Sequence, residues 1–250
     1  MIDSEETLFE SLIIQIQSMK PSWERTEQIE YLIHVLDTRP NLFARALKRW
    51  PFLVYERSTE TDEDYLSYNY WTIWDGHGWK VIWKRFLVEV GLHYDRLPVE
   101  TKEHFSIFDT KEKYGTLRVL LSYNNDKLFE LESILGHLSS VTCACCGKRQ
   151  YDSKGRNLVW ITSGWIMPYC KNCLRKDYFN YFSRGYRKAL SEDQYKKQKQ
   201  EFKEYAKECR TVVPYFKSVS MRNNCKTYIF RQPAYNWLET YKTEQEWSDE

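Results

Sequence analysis

The chain has 250 residues, 42% apolar and 16% aromatic, enough to bury a core of ordinary size, which sets intrinsic disorder aside. No run approaches the roughly 18 apolar residues of a membrane helix, and the acidic stretch Met1–Glu10 lacks the basic and apolar regions of a secretory signal, so a cytoplasmic protein with no membrane role is expected. The net charge of +2 hides an asymmetry: residues 1–142 carry 16 Lys/Arg against 23 Asp/Glu, residues 143–237 carry 20 against 7, and the remaining tail 1 against 5.

Three helices are predicted first. Leu8, Leu12 and Ile16 recur at helical spacing after Ser4, and Pro21 stops that run. Ile29, Leu32, Ile33 and Leu36 form a second stripe, and Leu42, Phe43, Ala46, Leu47 and Trp50 a third before Pro51. All three read as core faces. After a polar loop at 58–64, Asp75-Gly76-His77-Gly78 turns the chain into a helix from Trp79 to Val90, with Val81, Ile82, Phe86 and Val90 facing inward. His77 is a candidate ligand or base, although a lone histidine in a turn more commonly caps a helix or sits on the surface.

From Phe105 to Tyr123 the pattern changes to that of a hairpin. Ser106–Asp109 and Leu117–Leu121 read as strands, with Tyr114-Gly115 at the bend. Lys111, Lys113 and Arg118 place three cations near that turn, where they could contact a phosphate, and Glu112 could pair with Arg118 across the strands. The plainer reading has these residues facing solvent and Gly115 supplying a positive φ. Asn124-Asn125-Asp126 then caps a helix to about Ser139, whose stripe is Leu128, Leu131, Ile134, Leu135 and Leu138.

That helix runs into the strongest chemical signal, Cys143-Ala144-Cys145-Cys146-Gly147, answered by Cys170-Lys171-Asn172-Cys173. Two thiolates separated by two residues can reach one ion at about 2.3 Å, so Cys143, Cys146, Cys170 and Cys173 are the candidate ligands of a zinc ion, Zn2+. Cys145 points away in this reading, and Gly147 relieves the bend. The intervening stretch, Gly147 to Tyr169, is somewhat longer than in a common zinc ribbon. Disulfides, unrelated buried thiols or a redox pair are the alternatives. Four thiolates leave no position for water, so the expected role is structural. A nuclease hairpin would need a histidine between the pairs, and residues 147–169 contain none.

Beyond the second pair, Leu174–Leu190 reads as a helix in which basic and aromatic residues alternate. Lys171, Arg175, Lys176, Arg184, Arg187 and Lys188 accompany Tyr178, Phe179, Tyr181, Phe182 and Tyr186. Phosphates favour such cations and unpaired bases favour such rings. The competing reading packs the Tyr178, Phe182 and Tyr186 stripe against the ribbon and leaves the cations in water. Ser191-Glu192-Asp193-Gln194 is a capping box for a charged helix to about Cys209, edge strands are expected at Val212-Val213 and Thr227–Phe230, and the acidic tail is expected to be loose.

Gly76-His77-Gly78-Trp79, the segment from Lys111 to Arg118, Ser139-Ser140-Val141-Thr142-Cys143 and Gly164–Cys170 occur in an order that resembles a family of small phage and bacterial proteins. That family carries a G-D-G-W turn, a K-E-K-F-G-G-L-R hairpin and a two-knuckle zinc ribbon. The resemblance spans roughly residues 40–175 and implies a phage or prophage setting and a fold more than an activity. His77 stands where the pattern is acidic, and Thr116 where it has a second glycine.

The expected architecture is α+β: a helical and hairpin body at 1–142, a four-cysteine zinc ribbon at 143–175, and a basic, mainly helical extension with an acidic tail at 176–250. The expected function is non-catalytic binding of an acidic partner, nucleic acid or an acidic protein surface, through the basic C-terminal half. The basic half docking on the acidic half of the same chain is the plainer account of the charges. A factor that binds and modulates a bacterial protein is the alternative; exposure of Trp71, Trp74 and Trp79 would favour it. An enzyme or nucleotide-sequestering pocket has no motif in its support, and a pocket lined by Trp79, Tyr114 and Arg118 would raise it.

Overall fold

The computed structural model describes residues 2–55, 69–148, 159–161, 167–170 and 172–174, with helical pieces at 196–197, 199–201 and 203–204. The predicted loop at 58–64, most of the helix after Leu174, the strands at Val212-Val213 and Thr227–Phe230, and the acidic tail lie outside the described residues. Helices are combined with a small antiparallel hairpin, as expected for an α+β chain. Among the described residues no helix is long and apolar enough to cross a membrane.

The N-terminal helices start and stop where local chemistry dictates. Helix α1 (Ile2–Ser18) buries Phe9, Leu12, Ile13 and Ile16 on one side. In α2 (Trp23–Thr38) the Ser22 hydroxyl accepts the Arg25 N–H at 3.2 Å, satisfying one of the open donors of the first turn. Pro40 ends α2 and opens α3 (Pro40–Arg49), whose buried residues Leu42, Phe43, Ala46 and Leu47 match the predicted stripe. A short 3-10 turn, Pro51–Leu53, follows.

Helix α4 (Lys80–Tyr94) is the central strut, and it is buried on nearly every side. Ile82, Phe86 and Val90 face inward as expected, but Val81 is 52% exposed. The side it shares with Arg85 and Val88 becomes covered only from Arg85 onward, where Glu30 of α2 forms an ion pair with that arginine. The helix also runs four residues beyond its expected end. Gly91, in this added turn, allows the fully buried Trp50 ring to approach, since a Cβ there would lie 2.5 Å from the ring.

Burying charged residues in α4 requires partners, because an uncompensated charge in the interior is strongly unfavourable. Glu89 accepts both guanidinium nitrogens of Arg25, one at 2.9 Å, with both residues buried. Lys84, 2% exposed, meets Asp37 at 2.5 Å and Asp75 at 3.2 Å, and its ammonium lies 5.2 Å from the centre of the Trp71 ring. Asp95, just past α4, accepts from Gln17, Arg49 and the Trp50 indole and so joins α1, α3 and α4.

After a single helical turn, α5 (Val99–Lys102), strands β1 (Ile107–Lys113) and β2 (Thr116–Leu121) form the antiparallel hairpin. A bulge at Phe108 shifts the register, because Ile107 faces Leu121 while Asp109 faces Leu120. Tyr114 (φ 53) and Gly115 (φ 74) close the loop with two consecutive positive φ angles, the signature of a type I′ turn. Glu112 does not reach across to Arg118; it faces Leu117, and its carboxylate accepts the Gly115 N–H at 2.7 Å.

The hairpin packs on α6 (Asp126–Ser140). Asn125 caps α6 by accepting the Leu128 N–H at 3.0 Å, and all five predicted leucine and isoleucine positions are buried. Ser139, fully buried on α6, accepts the Leu117 N–H at 2.8 Å and donates to the Gly136 carbonyl. Tyr70 donates to the Ile107 carbonyl at 2.7 Å and Trp74 to Thr110 at 3.1 Å, which fixes the hairpin to the segment before α4.

Removing one member of the Arg25–Glu89 pair strands the other charge in the interior. Arg25→Ala is expected to lower stability by about 3–5 kcal/mol, whereas Arg25→Met combined with Glu89→Leu recovers most of that loss. Urea unfolding of the two variants checks this.

Candidate metal centre

Helix α6 delivers Val141, Thr142 and Cys143 into a tight knuckle. The Gly147 N–H donates to the Cys143 carbonyl at 2.9 Å, and the Cys143 N–H donates to the Lys148 carbonyl at 3.0 Å. Gly147 takes φ 72, the left-handed conformation that closes the bend. The chain returns through β3 (Trp160–Ile161) and β4 (Pro168–Tyr169), an antiparallel pair. The Ala144 N–H donates to the Pro168 carbonyl at 2.8 Å, binding the first knuckle to the strand that leads into Cys170. A short helix, residues 172–174, follows, and Leu174 N–H donates to the Cys170 carbonyl at 2.9 Å.

The four sulfurs of Cys143, Cys146, Cys170 and Cys173 all lie within 4.8 Å of one another. A tetrahedron with metal–sulfur bonds of about 2.3 Å has sulfur–sulfur edges of about 3.8 Å. Cys146 and Cys170 are 3.7 Å apart, on that edge and far beyond the roughly 2.05 Å of a disulfide. None of the five described cysteines is in a disulfide. Cys145 is exposed and stands outside the cluster, as its position between the ligating pair requires.

The electrostatics fit a cation. Burial pushes the Cys143 thiol up to about 11. Burial and the neighbouring Cys170 and Cys146 thiols also push Cys173 upward. At Cys146 burial acts upward too, but hydrogen bonds from the Lys148 backbone and the surrounding thiols outweigh it and bring the net shift down. A divalent ion among the sulfurs would reverse the penalty on the buried thiolates.

What seats the knuckle on the body is the Gly76–Trp79 turn. The Gly78 N–H donates to the Ala144 carbonyl at 2.7 Å, and the Trp79 indole donates to the Thr142 carbonyl at 3.1 Å. A Cβ on Gly78 would lie 2.2 Å from the Cys143 carbonyl oxygen, 2.5 Å from the Gly147 nitrogen and 2.8 Å from Ala144. The contact is backbone against backbone, and a side chain on Gly78 would displace it. His77 supports this turn: its Nδ1 accepts the Trp79 N–H at 3.3 Å, and its ring packs on Trp74 and Trp79. Burial pushes its pKa below the ordinary histidine value, which keeps the ring neutral and able to accept. His77 is therefore a helix-start residue, the commoner of its two sequence readings.

Sequence reasoning singled out Gly78, Trp79 and Thr142 as parts of recurring motifs but not as the residues that seat the cysteine knuckle. The one signal was the glycine pair followed by tryptophan in a chain that also carries two C-x-x-C pairs.

Lys111, Lys113 and Arg118 are exposed on the hairpin, where Lys111 pairs with Asp109 and faces Arg118 directly across the strands. Lys171, Arg175, Lys176, Arg184, Arg187 and Lys188 lie outside the described residues. Trp71 and Trp79 are buried and Trp74 is half-buried, so this trio presents no exposed tryptophan cluster. A cavity of about 530 Å³ lies between Phe52, Tyr94 and Phe105, lined also by Tyr55, Val99 and Lys102, and none of Trp79, Tyr114 or Arg118 borders it. Comparison with known protein families, curated proteins and solved structures gives no match.

The fit at Gly78 has a direct test. Gly78→Ala is expected to cost about 2–3 kcal/mol by forcing the knuckle away, while Gly76→Ala, with open space around its Cβ position, costs about 1 kcal/mol from its φ of +83 alone. Denaturation midpoints rank the two, and the order reverses only if Gly78 is not seated on the knuckle.

Proposed function

We propose that the four cysteines hold one structural zinc ion and that the chain acts without catalysis, binding nucleic acid through its basic C-terminal half. The observation that carries the metal is the gathering of four sulfurs within 4.8 Å of one another, one pair of them 3.7 Å apart. When bound, the ion supplies a rigid cross-link with no open coordination position for a water. Such sites contribute on the order of 10 kcal/mol to folding in small zinc modules.

The partner reading is supported by charge. Residues 143–237 hold 20 Lys/Arg against 7 Asp/Glu, and phosphate backbones reward such a surplus through counterion release. Lys171, Arg175, Lys176, Arg184, Arg187 and Lys188 supply the cations, and the tyrosine and phenylalanine residues among them supply stacking surfaces.

Elemental analysis of the purified chain is expected to give one zinc per molecule, retained in Cys145→Ser and lost in Cys173→Ser. Mobility-shift affinity for DNA or RNA is expected to fall by at least about tenfold between 50 and 200 mM salt. Combining Arg175→Glu, Arg184→Glu and Arg187→Glu is expected to abolish most of that binding. A stoichiometric protein partner that survives nuclease treatment, with no binding to oligonucleotides, would overturn the reading in favour of a protein-directed factor.

A further inference from the structure

The tip of the β1–β2 hairpin carries a residue that its turn does not favour. Among the described residues Tyr114 is the one non-glycine residue at positive φ. Both central positions of a type I′ turn require that conformation, and asparagine, aspartate or glycine adopt it readily where a tyrosine does so only with strain. Packing does not offset the strain, because the side chain is 68% exposed. The Lys113 ammonium lies 5.7 Å from the ring centre. The turn itself is held by other groups, the Glu112 carboxylate on the Gly115 N–H and the Thr116 hydroxyl on the Lys113 carbonyl.

The strand register adds charge on one side. Lys111 and Lys113 are two residues apart on β1 and share a face, and Arg118 is directly opposite Lys111. Like charges placed opposite one another disfavour the hairpin unless something neutralises them. Asp109 pairs with Lys111 and Glu132 of α6 lies near Arg118, so Lys113 is the cation placed beside the ring.

We infer that this tip docks an unpaired nucleic-acid strand, with a base stacked on Tyr114 and the adjoining phosphates reaching Lys111, Lys113 and Arg118. The inference rests on the nucleic-acid reading above for its class of partner and narrows that partner to single strands. An exposed ring at the end of a hairpin offers a face that an unpaired base can cover, whereas the bases of a duplex are already stacked on each other.

The test titrates the full-length chain into labelled oligothymidylate and into a duplex of the same length, reading fluorescence anisotropy at several salt concentrations. Tyr114→Ala is expected to weaken single-strand binding about tenfold with little effect on the duplex. Tyr114→Asn relieves the turn, so it is expected to raise Tm by about 2–4 °C while weakening the same binding. Lys111→Glu with Lys113→Glu and Arg118→Glu is expected to reduce the logarithmic salt slope by about 2, near 0.7 for each lost phosphate contact. Unchanged single-strand affinity in the Tyr114 variants overturns the inference, as does a Tyr114-dependent protein partner in a parent chain that binds no oligonucleotide. The Arg175, Arg184 and Arg187 reversals run in parallel separate the two readings. If they abolish binding while the Tyr114 variants do not, the hairpin inference alone fails; the reverse pattern sinks the C-terminal reading and leaves the hairpin standing.

Discussion

The arrangement turns on a contact between two backbones, Gly78 against the knuckle of Cys143–Gly147. Three atoms of the knuckle lie where any side chain at residue 78 would begin, so the approach is possible only for glycine. The hydrogen bond from Gly78 to Ala144 and that from the Trp79 indole to Thr142 then fix both the distance and the angle of approach. Through them the first cysteine pair is built onto the start of α4 instead of hanging from the end of α6.

Helix α4 can serve as that foundation because its buried charges are matched. Lys84 bridges Asp37 on α2 and Asp75 in the segment that leads to Gly78, and Arg25 joins α2 to Glu89 farther along. Such pairs add less stability than apolar side chains of equal size would. Their effect is orientational: a shift of α2 along α4 would break both at once.

Much of the body was legible because it is written in local chemistry. Prolines at 21, 40 and 51 and regular apolar spacing delimit the first three helices, Asn125 marks the start of α6, and Tyr114-Gly115 marks the hairpin bend. The cysteine cluster was legible from spacing alone. What escaped depends on partners distant in the chain. The exposure of Val81 follows from where α2 begins to cover α4, the role of Glu112 follows from strand register, and the role of Gly78 follows from a contact with residues 143–147. None of these leaves a periodic trace in the sequence.

The peptide groups of Ala144 have a further consequence. The N–H of this residue is held by Pro168 and its carbonyl by Gly78, so one short stretch of main chain couples the strand entering the second cysteine pair to the base of the central helix. The cysteine cluster is thereby tied to the helical body through main-chain groups alone, a link that substitution of the surrounding side chains leaves in place.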